Sequence, residues 1–525
     1  MVKIIRGGRV VDPGTGTDAV LDLLIEGERV TALAARIAPP AGATVIDASG
    51  LVVLPGFVDM HTHSDFTLQH DPGAPARLHQ GVTTDVTGNC GFSPFPLPRT
   101  SRGFGSFFSS RLDPGFPDLD AYAAHLESLG TAVNVAPLVG LGAVREHVAG
   151  SDPRPPSDEA VAAMRRLVAD GLDQGAFGVS SGLVYTPGRF AAADELRRVI
   201  APLRGSGRFY ATHLRDERDG LIASVAEAIS TAERAGVDLQ ISHHKALGKA
   251  NWGRTEQTLA MVDEANARGA VEVAVDYYPY TSGSTGVSSL LPPGSLDGGW
   301  PLLRTRAGEG AERLRLLRHL DGAAQFRPDE IIIGRSRDRP DASGRALPDY
   351  AAGLGRAPVE VLLELILAEG ESLTMIVPAA SRDDLARVSA HPAAMHGSDG
   401  WLMTAGQARH EHPRNLASTT EVLVPALLGR TPLDRAVRHL ATAPARRLRL
   451  DGRGTLRPGA FADIAVADPG RAAAYESGRG TGAGAAPAPE RAYPDLMRWV
   501  FVNGEPAIEN SRPTGRRAGK VLRAP

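Results

Sequence analysis

Residues 56–66 read GFVDMHTHSDF, an apolar run that ends in two histidines one residue apart. The fold and the chemistry both turn on this stretch. Either His61 and His63 are metal ligands at the end of a barrel strand, or they are two polar residues where a strand happens to stop. Residues i and i+2 of a strand share a face, so both imidazoles can point the same way. Alone the pattern is weak, because histidine commonly does no more than satisfy local hydrogen bonds.

Seven further runs of the same kind follow. They are GVTTDVTGNCG (81–91), TAVNVAPLVGLG (131–142), GAFGVSSGLVY (175–185), FYATHLRDE (209–217), DLQISHHKA (238–246), VEVAVDYYPY (271–280) and AMHGSDG (394–400). Helical patterns such as 158–175 and 220–236 lie between several of them, each closed by a glycine. Apolar strands alternating with helices predict an α/β fold with a parallel sheet. Eight such units over residues 56–445 suit a (β/α)8 TIM-like barrel.

Two more β-like runs, DEIIIGR (329–335) and SLTMIVPA (372–379), precede the eighth unit. The first is assigned to an insertion at about 283–350, in which PPGSLDGGWP (292–301) reads as a loop or lid. Short strands around Gly turns fill residues 1–55 and recur in GTLRPGAFADIAVADP (454–469) and LMRWVFVNGEPA (496–507). Residues 1–55 and 446–525 are therefore expected to form one small β-sandwich domain. Residues 471–493 are low in complexity and are expected to be a mobile linker.

The 525 residues carry a net charge of −3, with 42% hydrophobic and 22% charged residues. That balance gives no reason to expect a nucleic-acid or membrane-surface partner. No apolar run approaches a membrane span and no leader-like segment opens the chain. Cys90 is the one cysteine, so no intrachain disulfide forms, and the expected location is the cytoplasm.

The polar residues gather where the runs end. His61 and His63 close the first, Cys90 the second, His213 the fifth, His243 with His244 the sixth, and Asp399 the eighth. In a (β/α)8 barrel those ends face one cavity. His243 and His244 cannot both face it; one should face the site and the other pack behind it. Imidazole, thiolate and carboxylate are the zinc donor set. Six donors exceed the needs of one four-coordinate ion, which leaves room for two neighbouring sites or one occupied and one weak.

With these residues in place, the chain resembles the N-acyl-D-amino-acid deacylases (D-aminoacylases) of the amidohydrolase superfamily over nearly its whole length. The resemblance rests on PGFVDMHTHSDF, QGVTTDVTGNCGFSP, GAFGVSSGLVYTPG, THLRDE, ISHHKALGKANWGR, DYYPYTSGST, GSDG and HPR, in that order. GNCG with ISHHK and YPYTSGST is far more specific than HxH, which the whole superfamily shares.

The resemblance implies that Cys90, His213 and His243 hold a tightly bound zinc. His61, His63 and Asp399 would form a weaker second position, with cysteine in the place of the bridging carboxylated lysine of most binuclear relatives. It further implies that Lys245, Tyr278 and Arg414 recognise a substrate carboxylate and that Ser284 lies near the substrate. Arg offers a planar fork to a carboxylate, while Lys and Tyr add a charge and a donor. The implied reaction is hydrolysis of a small N-acyl amino acid by a metal-activated water, with Asp399 as general base and then acid.

A cyclic amide or ureide hydrolase of the dihydroorotase–hydantoinase kind is the rival enzyme, disfavoured because no lysine stands in GVSSGLVY. A non-catalytic scaffold is the rival of another class. The chain departs from the family pattern at Leu141, where histidine usually follows VG, in NLASTTEVL (415–423), and at Trp401, where a smaller residue is common. These positions are expected to border the substrate pocket.

Overall fold

The computed structural model describes residues 2–97, 115–292, 294–296, 299–308, 310–322, 326–404, 406–477 and 493–525. Eight parallel strands organise the middle of the chain: β1 (Phe57–Asp59), β2 (Val82–Thr87), β3 (Asn134–Pro137, resumed at Val139–Gly140), β4 (Gly178–Gly182), β5 (Phe209–His213), β6 (Asp238–Ile241), β7 (Val273–Tyr277) and β8 (Ala394–His396). β1 to β3 pair in chain order, and the second half of β3 pairs onward through β4 to β8. Backbone bonds also link the last strand region to the first. Asp399 N donates to His61 O at 2.8 Å, and His63 N donates to Gly400 O at 2.8 Å. Every residue of β2, β4, β5 and β7 is buried, the mark of strands covered on both faces.

The covering helices follow from local sequence. Asp158–Asp173 starts at Ser157, whose hydroxyl accepts the Ala160 N–H, and carries Asp158 and Glu159 in its first turn. It buries Val161, Met164, Val168 and Leu172, one face at helical spacing. Leu221–Ala235 buries Val225, Ala228, Ile229 and Ala232 and stops at Gly236, which takes the left-handed conformation (φ 69°). No helix among the described residues is long and apolar enough to cross a membrane.

The two chain ends meet. Hydrogen bonds join nine strands from both ends into one continuous sheet. Val2–Asp12 is long enough to pair with Thr44–Asp47 along one half and Val52–Pro55 along the other. Val52–Pro55 then pairs with Ile464–Ala467 and so recruits the C-terminal strands.

The last residues depart from that domain. Leu522 N donates to Val135 O and Ala524 N to Gly175 O, both at 2.8 Å. Leu522 and Ala524 pack against a core formed by Val58, Phe177, Phe209 and Met395 with Ala443 and Leu448.

The insertion between β7 and β8 runs past residue 350. Ser282–Gly286, Thr374–Pro378 and Ile332–Ile333 form a separate antiparallel sheet with Thr374–Pro378 in the middle. Its apolar core, including Val287, Leu316, Leu363 and Val377, is separate from that of the parallel strands. Residues 293, 297 and 298 of the expected lid loop lie outside the described residues. Of the low-complexity stretch, 471–477 are helical, within Pro469–Ser477. Ala472 is buried there and the Tyr475 hydroxyl donates to Glu421 Oε1 at 2.9 Å. Residues 478–492 lie outside the described residues.

Candidate metal centre

The six expected donors come from five strand ends and lie together. His213 is the last residue of β5, while the others sit on short loops just beyond β1, β2, β6 and β8. Cys90 Sγ is 3.3 Å from His61 Nε2, 3.5 Å from His243 Nε2 and 3.8 Å from His213 Nδ1. Asp399 Oδ1 is 3.2 Å from His63 Nε2 and 3.5 Å from His61 Nε2. Two groups of donors result, Cys90–His213–His243 and His61–His63–Cys90–Asp399, each with its ligand atoms within 4.8 Å of one another. Cys90 belongs to both. His244 turns away, its Nε2 2.8 Å from Thr258 Oγ1.

Backbone strain concentrates here. Eight described non-glycine residues have positive φ, and three are donors: Cys90 (53°), His243 (34°) and Asp399 (54°). Such conformations cost energy and persist where the surroundings enforce them. Burial pushes His213 and His243 well below the ordinary imidazole value and His63 down to about 4, so each is neutral with a lone pair to give. Burial alone would raise Asp399, but the Arg414 guanidinium and His63 hold it well below the ordinary carboxylate range. A buried set of one sulfur, four imidazoles and one carboxylate fits zinc.

Groups behind the donors hold them in place. Asp276 Oδ1 lies 3.2 Å from His61 Nδ1 and accepts the His243 N–H at 2.7 Å. Asp59 Oδ1 accepts the Ser398 N–H at 2.8 Å. The fully buried Arg77 ties β1, β2 and β8 together, donating to Asp59 Oδ2 (3.4 Å), Asp85 Oδ2 (3.1 Å), Ser398 Oγ (3.2 Å) and Gly400 O (2.9 Å). Glu217 Oε1 accepts from Lys245 Nζ at 2.8 Å. Sequence reasoning missed all four. Asp59, Asp276 and Glu217 lie at or just past strand ends within the quoted motifs, which was a usable signal. Arg77 carried none.

Of the substrate-binding candidates, three line a cavity that opens beside His213, His243 and Asp399, and Arg414 stands outside its wall. Lys245, Tyr278 and Ser284 face it directly. Lys245 Nζ and Arg414 Cζ lie 5.8 and 5.5 Å from the centre of the Tyr278 ring. Arg414 is buried and pairs with Asp399 Oδ2 at 2.6 Å, its second Nη donating to Ser284 O at 3.1 Å. Among the described residues, the buried Ser284 hydroxyl has no hydrogen-bond partner. Burial alone would lower Lys245, yet Glu217 and Tyr278 keep it above the ordinary lysine value.

A family model described as "Amidohydrolase family" matches residues 44–506. The chain belongs to the amidohydrolase family. It is 33% identical to a D-aminoacylase of Alcaligenes xylosoxydans xylosoxydans, over 99% of this chain and 97% of that one. A solved D-aminoacylase, described as having a binuclear metal centre with one-metal activation and second-metal attenuation, superposes with a TM-score of 0.81 at 30% identity, covering 99% of each chain. An N-acyl-D-glutamate deacylase of Bordetella bronchiseptica, solved with zinc and a phosphonate mimic of the tetrahedral intermediate, has a TM-score of 0.80 at 32% identity, with 99% of each chain covered.

In this amidohydrolase the end of β4 has no room for a side chain at Gly182. A Cβ on Gly182 would lie 2.1 Å from the Cys90 carbonyl oxygen. The cysteine loop fills the space in front of β4, which is the physical counterpart of the missing lysine in GVSSGLVY. Gly182→Ala is therefore expected to push Cys90 out of both donor groups. Zinc content after dialysis should fall well below one per chain, and unchanged zinc would refute the close fit.

Two departures from the family pattern are buried. Leu141 opens the helix Leu141–Ala149 and lines a separate small cavity with Met164, Leu183 and Leu196. Trp401 is fully buried, with Arg414 Cζ 5.6 Å from its ring centre. It supports the arginine from behind and is absent from the described cavity wall.

Proposed function

We propose that this chain hydrolyses the amide bond of N-acyl-D-amino acids, releasing a carboxylate and a free amino acid. The observation that carries the reading is the pair of donor groups sharing Cys90 beside a cavity that presents Lys245, Tyr278 and Ser284. The deacylases to which the chain is similar, one of them holding zinc, supply the D-configuration and the metal.

Cys90, His213 and His243 would hold the tight zinc, and His61, His63 and Asp399, sharing Cys90, the weaker position. When bound, zinc supplies Lewis acidity, polarising a carbonyl and bringing the pKa of a water toward neutrality. Asp399, kept ionised by Arg414, takes the proton of the attacking water and returns it to the leaving nitrogen. Lys245 and Tyr278 bind the substrate carboxylate, with Arg414 bracing the same wall through Ser284 O. The unpartnered Ser284 hydroxyl, buried in that wall, is a ready donor or acceptor for substrate.

The finer architecture belongs to the same proposal. The β8-to-β1 hydrogen bonds support closure of the eight strands into a (β/α)8 barrel over 56–445, capped by the insertion from about 283 to 378. The apolar core shared by Ile5, Val10, Leu23, Ile464 and Phe501 supports a small domain of 1–55 and 446–525 that folds on itself as a sandwich. Its last few residues would brace the barrel. A reduced, metal-loaded Cys90 suits the cytoplasm.

Among the described residues, Lys245 is the one lysine or arginine in the cavity wall. The rest of that wall includes Val184, Leu247, Phe326, Val377 and Ala379. A substrate with a second carboxylate would leave it unpaired, costing at least about 10-fold in kcat/KM. A panel of N-acetyl and longer N-acyl amino acids, D and L, with and without added zinc tests the reading. Turnover is expected for D-enantiomers with neutral side chains, ahead of N-acyl-D-glutamate and N-acyl-D-aspartate. Turnover of L-enantiomers alone, or of none, would refute it.

A further inference from the structure

Glu217 lies beyond β5, four residues after His213, and is only 6% exposed. Its loop is held at several points. The Glu217 carbonyl accepts the Leu247 N–H at 2.7 Å, which ties it to the loop carrying His243 and Lys245. Next to it, the Asp216 carboxylate accepts the N–H groups of Arg218 (2.7 Å) and Gly220 (3.1 Å). The carboxylate is thus delivered to a defined point by backbone on both sides.

At that point it meets three functional groups. Oε1 is 3.1 Å from His243 Nδ1 and 2.8 Å from Lys245 Nζ. Oε2 is 3.7 Å from His213 Nε2. Each imidazole turns its other nitrogen to Cys90 Sγ, His243 by Nε2 and His213 by Nδ1. A histidine that gives one nitrogen to a metal carries its proton on the other, and a carboxylate behind that proton fixes ring and tautomer. The Lys245 ammonium, 3.0 Å from His243 Nδ1, then finds its acceptor in Glu217.

We infer that Glu217 is a positioning residue shared by the metal centre and the substrate cation. One carboxylate orients His243 directly, adds a longer charge contact to His213 and holds the Lys245 ammonium at the cavity. The metal half needs only the donor set, while the lysine half rests on the deacylase reading.

The test is zinc affinity of the chelator-stripped full-length chain, measured by competition with a chromophoric chelator, for the parent, Glu217→Gln and Glu217→Asp. Glu217→Gln is expected to weaken zinc about 10–100-fold. With substrate it should raise KM more than it lowers kcat, because Lys245 loses its anchor. Glu217→Asp keeps the charge on a side chain one methylene shorter and should fall between the two; it also serves if the glutamine variant does not fold. The competition needs no substrate, so failure of the deacylase reading leaves it decisive. Parent-like zinc affinity in the folded variants, with only the melting temperature changed, overturns the inference. Weakened zinc with an unchanged KM overturns its lysine half.

Discussion

Cys90→Ala is expected to abolish tightly held zinc and, with it, turnover. The sulfur is the one donor common to both groups, and removing it leaves His213 and His243 alone on one side. Two imidazoles fall short of the three or four protein ligands that zinc sites use. The loss of affinity should exceed the effect of deleting a group behind a ligand, so at least about 100-fold. Zinc content after dialysis against a mild chelator is the direct measurement. Packing should survive, since alanine is smaller than cysteine and Cys90 sits in a turn held by neighbours. The Ser180 hydroxyl bonds both Gly91 N and Gly88 O. A variant that keeps one zinc per chain would remove the cysteine from the site.

Asp399→Asn should behave in the opposite way, keeping zinc and losing chemistry. Cys90, His213 and His243 do not depend on Asp399 for contact, so the tight group stays whole. Turnover should fall at least about 100-fold with the loss of the general base and acid. A second effect accompanies it. Arg414 is buried and loses its carboxylate partner, and breaking such a pair costs about 3–5 kcal/mol. Thermal melts should therefore shift down, and rates must be compared well below the variant's transition. Near-parent turnover in a folded, zinc-loaded variant would sink the role assigned to Asp399.

The gathering of the six candidate donors was legible because donor residue types recur at the ends of five of the eight apolar runs, a pattern that survives without knowing the loops between. Their supporting groups were not. Asp276 and Glu217 stand in quoted motifs, yet a carboxylate near a strand end reads equally as a turn former, and only the folded distances separate the two. Arg77 joins β1, β2 and β8 from a short helix, a convergence that no local pattern encodes.

Strand existence was likewise easier to read than strand partnership. SLTMIVPA reads as a strand, but its apolar alternation does not say that it pairs antiparallel with Ser282–Gly286 outside the parallel strands. The same holds for the chain ends, where the length of Val2–Asp12 joins strands into one sheet. Leu141 and Trp401 were placed by neighbourhood to the motifs. The side chains of both turn into cores, one beneath a helix start and the other behind Arg414.

The central claim is that a zinc held at Cys90, His213 and His243 is what lets this chain cleave N-acyl-D-amino acids. The most direct measurement is a zinc titration of the chelator-stripped protein, following initial rates on paired D- and L-enantiomers of an N-acetyl amino acid with a neutral side chain. The account predicts no turnover in the stripped protein and activity on the D-enantiomer that appears with the first equivalent of zinc. Full activity without metal, or no activity on the D-enantiomer at any zinc concentration, would contradict it.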